Sequence, residues 1–419
     1  MWVTWLTFDN IGVSIVEYGP NLEHSATGTQ KLFVDGGSQQ TKRYIHRVLL
    51  KNLSPGTEYK YHVGSQFGWS PIFSFRALQP RGENGYIYAV YGDMGNINAR
   101  SLGRLQQEAQ RGQFDVVLHV GDFGYDLNTD EGQFGDEFNR QIEPIAAYVP
   151  YMTVVGNHEG AYNFSHYVNR YTMPDSDHNL FYSYDLGPVH FIAFSTEFYF
   201  FTSYGWQQIA NQYRWLQKDL EKAQANRKNV PWIITMGHRP MYCSDDDRDD
   251  CTMYESVIRT GLPILHAYAL EPLFYKYGVD LQFYAHEHSY ERMWPVYNRT
   301  VYNGTGEPYK NPPAPVHVVT GSAGCQELVD PFVKNPSPWS AVRISDYGFS
   351  KMQVFNKTHL YLEQITASSG EIVDSFWLHK DTHGPYSQKH RKQLKRFGTS
   401  IPLDFVNPNG VHCPECADL

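Results

Sequence analysis

The sequence predicts a two-domain α+β chain: an antiparallel β-sandwich over residues 1–80, then an α/β layered domain over 85–380. Three observations support this. The first 80 residues alternate loosely in polarity between turns and show no helical period. From Gly85, apolar strand-like runs alternate with helical stretches, the signature of an α/β layer architecture. Five of the apolar runs end in a turn and then a metal-ligand type of side chain. At 419 residues the chain exceeds one compact core.

In the first domain, Gly12–Tyr18 and Tyr59–Val63 read as strands. Met1–Trp5 reads as the middle of a strand, and shows neither the charged nor the apolar region of a signal peptide. Between strands, Leu53-Ser54-Pro55-Gly56-Thr57-Glu58-Tyr59 places a Pro-Gly turn ahead of a tyrosine. It resembles the tyrosine corner of fibronectin type III sandwiches. Residues 77–84 are the expected linker. In the second domain the clearest helix is Gln207–Asn226, with another near Ala99–Gln110. Residues 316–380 read as closing strands. Residues 381–419 are polar and expected to be a flexible tail, including the basic run Lys389–Arg396 and a lone Cys413-Pro414-Glu415-Cys416.

Composition excludes some partners. The net charge of -9 leaves no basic excess for a nucleic-acid backbone, and no run is apolar enough to span a bilayer. Five glycosylation sequons, at Asn52, Asn163, Asn298, Asn303 and Asn356, fit a secreted chain.

The chemistry lies at the strand ends. Tyr86–Tyr91 leads to Gly92-Asp93-Met94-Gly95. Val116–Val120 leads to Gly121-Asp122-Phe123-Gly124-Tyr125. Tyr151–Val155 leads to Gly156-Asn157-His158-Glu159, and Trp232–Met236 to Gly237-His238. The fifth run, Val279–Tyr284, leads to Ala285-His286-Glu287-His288. Open α/β sheets bind ligands beyond the carboxyl ends of their strands. In extended chain, positions i and i+2 face the same way, so His286 and His288 can share one site. Alone, each motif has an ordinary reading as a turn, a helix cap or a core histidine. His119 and His190 are given that reading. Together, two aspartates, a tyrosine, an asparagine and three histidines exceed one closed zinc site and suit a two-metal centre for phosphoester hydrolysis. A phenolate oxygen suits a hard trivalent cation.

In order and spacing, these motifs resemble the purple acid phosphatases, among the calcineurin-like metallophosphoesterases. The tyrosine at position 125 is their distinguishing ligand. The sandwich domain and the Tyr290-Glu291-Arg292 ending look like the long-chain form. Gly237–Cys243 and Gly321-Ser322-Ala323-Gly324-Cys325 look like its animal members. The resemblance implies a four-layer catalytic domain in which two β-sheets are flanked by helices. It implies that Asp93, Asp122, Tyr125 and His288 hold Fe(III), and that Asn157, His238 and His286 hold a divalent zinc, iron or manganese, with Asp122 bridging. His158 would contact the phosphate and assist the leaving group. The reaction implied is hydrolysis of phosphate monoesters, on small molecules or proteins, by a metal-bound hydroxide at acidic pH, in a secreted or lysosomal setting. A phosphodiesterase or nucleotide pyrophosphatase of the same fold, or an inactive metal-bound binding protein, is the alternative.

Two departures from the family pattern stand out. Ala285 replaces a usual glycine, which is tolerable if its φ is negative. The loop after His238 carries no substrate-facing histidine. Met241–Met253 instead holds Asp245, Asp246, Asp247, Asp249 and Asp250, an acidic lid expected to repel anionic substrates unless Arg239 or Arg248 offsets it. Seven residues separate Cys243 from Cys251, so a disulfide can pin this loop in an oxidising compartment. Glu159 is expected either to support His158 or to face solvent.

Overall fold

The computed structural model describes residues 1–386, apart from Glu83 and Asp177. The basic run 389–396 and the Cys413/Cys416 pair lie outside the described residues.

The first seven strands form one antiparallel system. They are β1 (Trp2–Thr7), β2 (Ser14–Gly19), β3 (His24–Val34), β4 (Lys42–Leu49), β5 (Glu58–Ser65), β6 (Gly68–Trp69) and β7 (Phe73–Arg76). The order is β1-β4-β3-β2-β5, with β6 and β7 both paired to β5. The long β3 serves both halves, since residues 24–28 pair with β2 and residues 29–34 with β4. Val16, Val48, Tyr59, Tyr61 and Phe75 fill the space between them. Tyr59 is buried, and its hydroxyl accepts from the Ser54 amide at 2.9 Å, so the expected tyrosine corner is present.

The second domain has two sheets. In the first, β8 (Tyr86–Tyr91), β10 (Val116–Val120) and β12 (Tyr151–Val154) run parallel. The antiparallel β22 (Gly348–Val354), β23 (His359–Thr366) and β24 (Ile372–His379) complete it. Its order is β12-β10-β8-β22-β23-β24.

The other sheet has the order β13-β14-β15-β16-β20-β17-β21. These strands are β13 (Tyr182–Leu186), β14 (Val189–Ala193), β15 (Trp232–Met236), β16 (Leu281–Tyr284), β17 (Tyr290–Met293), β20 (Val316–Thr320) and β21 (Ser340–Ile344). Short pairs, β9 (Met94–Gly95) with β11 (Phe123–Gly124) and β18 (Val296–Tyr297) with β19 (Thr300–Val301), sit beyond the strand ends.

The helices are α1 (Leu102–Gln110), α2 (Gln133–Ala146), α3 (Ala161–Arg170), α4 (Gln207–Ala225), α5 (Val257–Thr260) and α6 (Leu270–Tyr277). In α4, Ile209, Leu216, Leu220 and Ala223 are buried, the stripe its helical spacing predicts. The central strands are buried on both faces, hence their unbroken apolar runs.

A buried ion triad joins the domains. Asp136 of α2 receives Arg43 of β4 at 2.8 Å and Arg170 at the end of α3 at 2.8 Å. Burial opposes charge on Asp136, but the two guanidiniums hold its carboxyl below the usual range. Removing the carboxylate would strand two buried cations, at a cost of about 3–5 kcal/mol. Asp136→Ala should therefore lower urea-unfolding stability by about 3 kcal/mol, and a loss under about 1 kcal/mol would show the triad to be solvated.

Acid should weaken the fold through His317 on β20. Burial holds this imidazole down to about 3. The unfolded chain takes up its proton near the ordinary value of 6.5. The His317 contribution is therefore present above 6.5 and lost as pH falls towards 3. In a melting series, His317→Gln should flatten the decline below pH 6.5; an unchanged slope would assign acid sensitivity elsewhere.

Candidate metal centre

The carboxyl ends of β8, β10 and β12 from one sheet meet those of β15 and β16 from the other. Asp93, Asp122, Tyr125, Asn157 and His158 follow the first three strands; His238, His286 and His288 follow the last two. Close approach is possible because the turns are glycine. A Cβ on Gly121 would lie 2.3 Å from the His238 ring, and φ there is +92°. A Cβ on Gly156 would lie 2.2 Å from Asp122 Oδ1. Ala285 is not among the residues with positive φ, so replacing glycine costs no backbone strain there. Its methyl lies over Gly92, where a Cβ would come within 2.4 Å of it.

The side chains fall into two linked groups. In the first, the Tyr125 hydroxyl lies 2.7 Å from His288 Nε2 and 3.4 Å from Asp93 Oδ1. In the second, His238 Nε2 lies 3.1 Å from both Asp122 Oδ2 and Asn157 Oδ1. Ligand atoms of Asp122, His238 and His286 all fall within 4.8 Å of one another. Each histidine is fixed from behind. His238 Nδ1 donates to the Val120 carbonyl at 2.8 Å, and His288 Nδ1 to the Leu328 carbonyl at 3.1 Å. His286 Nε2 faces Asp249 Oδ2 at 2.5 Å. The carbonyl partners fix Nδ1–H on His238 and His288 and leave Nε2 for a metal. His286 Nε2, which also lies 2.8 Å from Arg239 Nη1, is held in orientation with Nδ1 left free.

This donor set fits two cations. With Nδ1–H committed to Val120, the lone pair on His238 Nε2 would face only acceptor oxygens, an arrangement that needs positive charge between them. The electrostatics agree. Burial opposes protonation of His238, yet Asp122 and Asp93 hold its imidazole up to about 10. Burial pushes the Asp93 carboxyl well above its ordinary range. Asp93, Asp122, Tyr125 and His286 all adopt left-handed backbone, at φ of 59°, 55°, 61° and 72°. For residues other than glycine that costs about 1–2 kcal/mol each. Strain of this kind concentrates at functional sites.

His158 sits beside both groups. Its Nδ1 contacts Asp126 at 2.8 Å, and its Nε2 lies 4.0 Å from Asp122 and 3.7 Å from Glu327. Burial opposes its charge, but Asp126 and Asp122 carry it up to about 9.

The acidic loop turns most of its charge away from solvent, and Arg239 offsets part of it, as the sequence allowed. Cys243 and Cys251 are joined by a disulfide. Asp245 is buried, and Asp250 caps α5 through Ser256 and the Val257 amide. Asp249 binds His286 and Arg239, the latter at 3.1 Å. Only Asp246 and Asp247 of the five are exposed. Glu159 departs from both expected roles. It is buried and accepts from the amides of Asp122, Phe123 and Gly156, holding two strand-end turns together. The Glu159 capping pattern follows a glycine, so no serine or threonine announces it. Asp126, Asp249, Cys325 and Glu327 surround the site with no sequence signal. His119 and His190 have structural roles, bonded to Tyr151 and to Asp185 and Asp219.

The comparisons with known proteins agree with this geometry. Residues 88–290 match the calcineurin-like phosphoesterase family. Residues 1–77 match the purple acid phosphatase N-terminal domain, and residues 314–375 the iron/zinc purple acid phosphatase-like protein C domain. The chain belongs to the purple acid phosphatase family. It is 53% identical to acid phosphatase type 7 of Mus musculus over 90% of this chain and 87% of that one. It is 30% identical to the Fe(3+)-Zn(2+) purple acid phosphatase 12 of Arabidopsis thaliana, over 90% of this chain and 80% of that one. The solved purple acid phosphatase PPD1 of yellow lupin (Lupinus luteus) superposes with a TM-score of 0.74 at 26% identity, covering 91% of this chain and 72% of that one.

Asp249→Asn should loosen His286 while leaving the fold intact. Divalent-metal affinity should fall about 10–100-fold, read by competition with a chelator. Unchanged affinity would mean that Asp249 does not orient the ring.

Proposed function

We propose that this chain is a binuclear metal-dependent acid phosphatase that hydrolyses phosphate monoesters. One observation carries the reading: seven side chains of metal-ligand type come from five strand ends to one site, and each of the three histidines among them has one ring nitrogen held by a neighbouring group. Asp93, Tyr125 and His288 would hold Fe(III). Asn157, His238 and His286 would hold zinc, iron or manganese, and Asp122 would serve both. Together the cations would supply Lewis acidity to activate water and neutralise phosphoryl charge.

The chain's own residues do the rest. Asp126 engages His158 Nδ1, so Nε2 is the atom aimed at the phosphate and can hand its proton to the departing oxygen. Glu159 keeps the Asp122 and Asn157 turns in register. Arg239, fixed by Glu197 at 3.1 Å and Asp249, places positive charge beside His286 and offsets the acidic loop. Phosphorylated small molecules and proteins are both admissible substrates.

Secretion or a lysosomal setting is supported by the Cys243–Cys251 disulfide and by the exposure of all five sequon asparagines. No helix among the described residues is long and apolar enough to cross a membrane.

The reading is tested with p-nitrophenyl phosphate from acidic to neutral pH, beside the matching diester. Metal-dependent monoester turnover with an acidic optimum is expected. Tyr125→Phe should abolish a visible tyrosinate-to-iron absorption band. No chelator-sensitive turnover at any pH would overturn the assignment, and preference for the diester would move it to a phosphodiesterase.

A further inference from the structure

Behind the metal centre lies a second cluster of acids that catalysis does not use. Oxygen atoms of Asp245, Glu287 and Asp330 all fall within 4.8 Å of one another. Asp245 and Glu287 are fully buried. Neither oxygen of Asp245 accepts a hydrogen bond of good geometry, although the Ser289 hydroxyl is near enough to act on it. Glu287 Oε2 likewise accepts no hydrogen bond of good geometry, although the Asp247 carboxyl is near enough to act on Glu287, which also has ligand atoms of Asp249 and His286 within 4.8 Å. Glu287 Oε1 lies 3.0 Å from Cys251 Sγ, which has no proton to donate because it is in the disulfide. Asp330 Oδ2 accepts only the His288 amide, at 2.6 Å. Glu291 stands nearby and is the largest charge acting on Asp245; the Ser340 and Ser244 hydroxyls and the Ser244 amide are close enough to act on its carboxylate, though none makes a hydrogen bond of good geometry. Exposed Arg343, opposite Glu291 across the strands, is the cation that acts on that residue. No lysine, arginine or histidine among the described residues forms an ion pair with Asp245, Glu287 or Asp330.

The backbone holds these acids together. Val333 donates to the Ser244 carbonyl and Asp246 to the Pro331 carbonyl, both at 2.9 Å. The disulfide closes the loop from its other side. The carboxylates cannot separate without breaking these ties. Isolated buried anions are costly, so the cluster needs either protons or a cation.

We propose that Asp245, Glu287 and Asp330 form a third cation site, distinct from the binuclear centre, that takes calcium. The donors are all carboxylate oxygens, with the Ser244 and Ser289 hydroxyls buried beside them, which selects a hard divalent ion. Carboxylates from three separate segments suit calcium's irregular shell better than the strict octahedron of magnesium. The bound ion would pin the 243–251 loop to the strand end that carries His286 and His288. The loop delivers Asp249 to His286, so the ion would also steady the centre from behind.

The test uses the full chain with both centre metals loaded, and reads calcium content and melting temperature rather than phosphatase activity. After equilibrium dialysis at ~1 mM calcium, the range in which extracellular modules bind it, one calcium per chain is expected beyond the two centre metals. The melting temperature should rise with calcium and fall back with EGTA. In Asp245→Asn and Glu287→Gln, bound calcium and the calcium-dependent shift should both vanish while the iron content stays. If one variant fails to fold, the other and the wild-type melt still decide. No calcium uptake by wild type, uptake undiminished in both variants, or uptake of magnesium in place of calcium would each overturn the proposal, the first by showing that protons neutralise the cluster.

Discussion

The structure depends on one constraint: the ligand-bearing strand ends approach so closely that glycine is required at the tightest turns between them. Gly121 lies under the His238 ring and Gly156 under the Asp122 carboxylate. This packing forces carboxylates, a phenol and three imidazoles into one buried volume. Their lone pairs then face one another, and the site demands positive charge. Asp93, Asp122, Tyr125 and His286 are also held in left-handed backbone. The surrounding β-structure offsets that strain, and the rigid strands on both sides keep the geometry from relaxing.

The strands that carry the candidate ligands were legible because they are buried on both faces and read as unbroken apolar runs. The turns were legible because each begins with glycine, alanine at 285 excepted. Tyr59 announced its corner through the Pro-Gly turn before it. By contrast, α2 and α3 gave no clear signal. A proline stands inside α2, and α3 starts through left-handed residues Tyr162, Asn163 and Phe164.

The groups around the candidate ligands were the hardest to read. Glu159 stands beside two of the candidate site residues in sequence, yet its work is to receive three backbone amides, which no spacing reveals. Asp249 looked like part of a repulsive lid because a run of aspartates says nothing about direction. Folded, the loop points one carboxylate inward, one at His286 and one at a helix start, leaving two in solvent. Charge in sequence is a sum; in the fold it is a set of directions.

The most direct test of the central claim is anomalous X-ray scattering from crystals of the metal-loaded protein, collected at the iron and zinc edges. The account predicts two metal peaks about 3.5–4 Å apart on either side of Asp122, with iron on the Tyr125 side. A single peak, or two peaks with the Tyr125 phenol turned away from both, would contradict it.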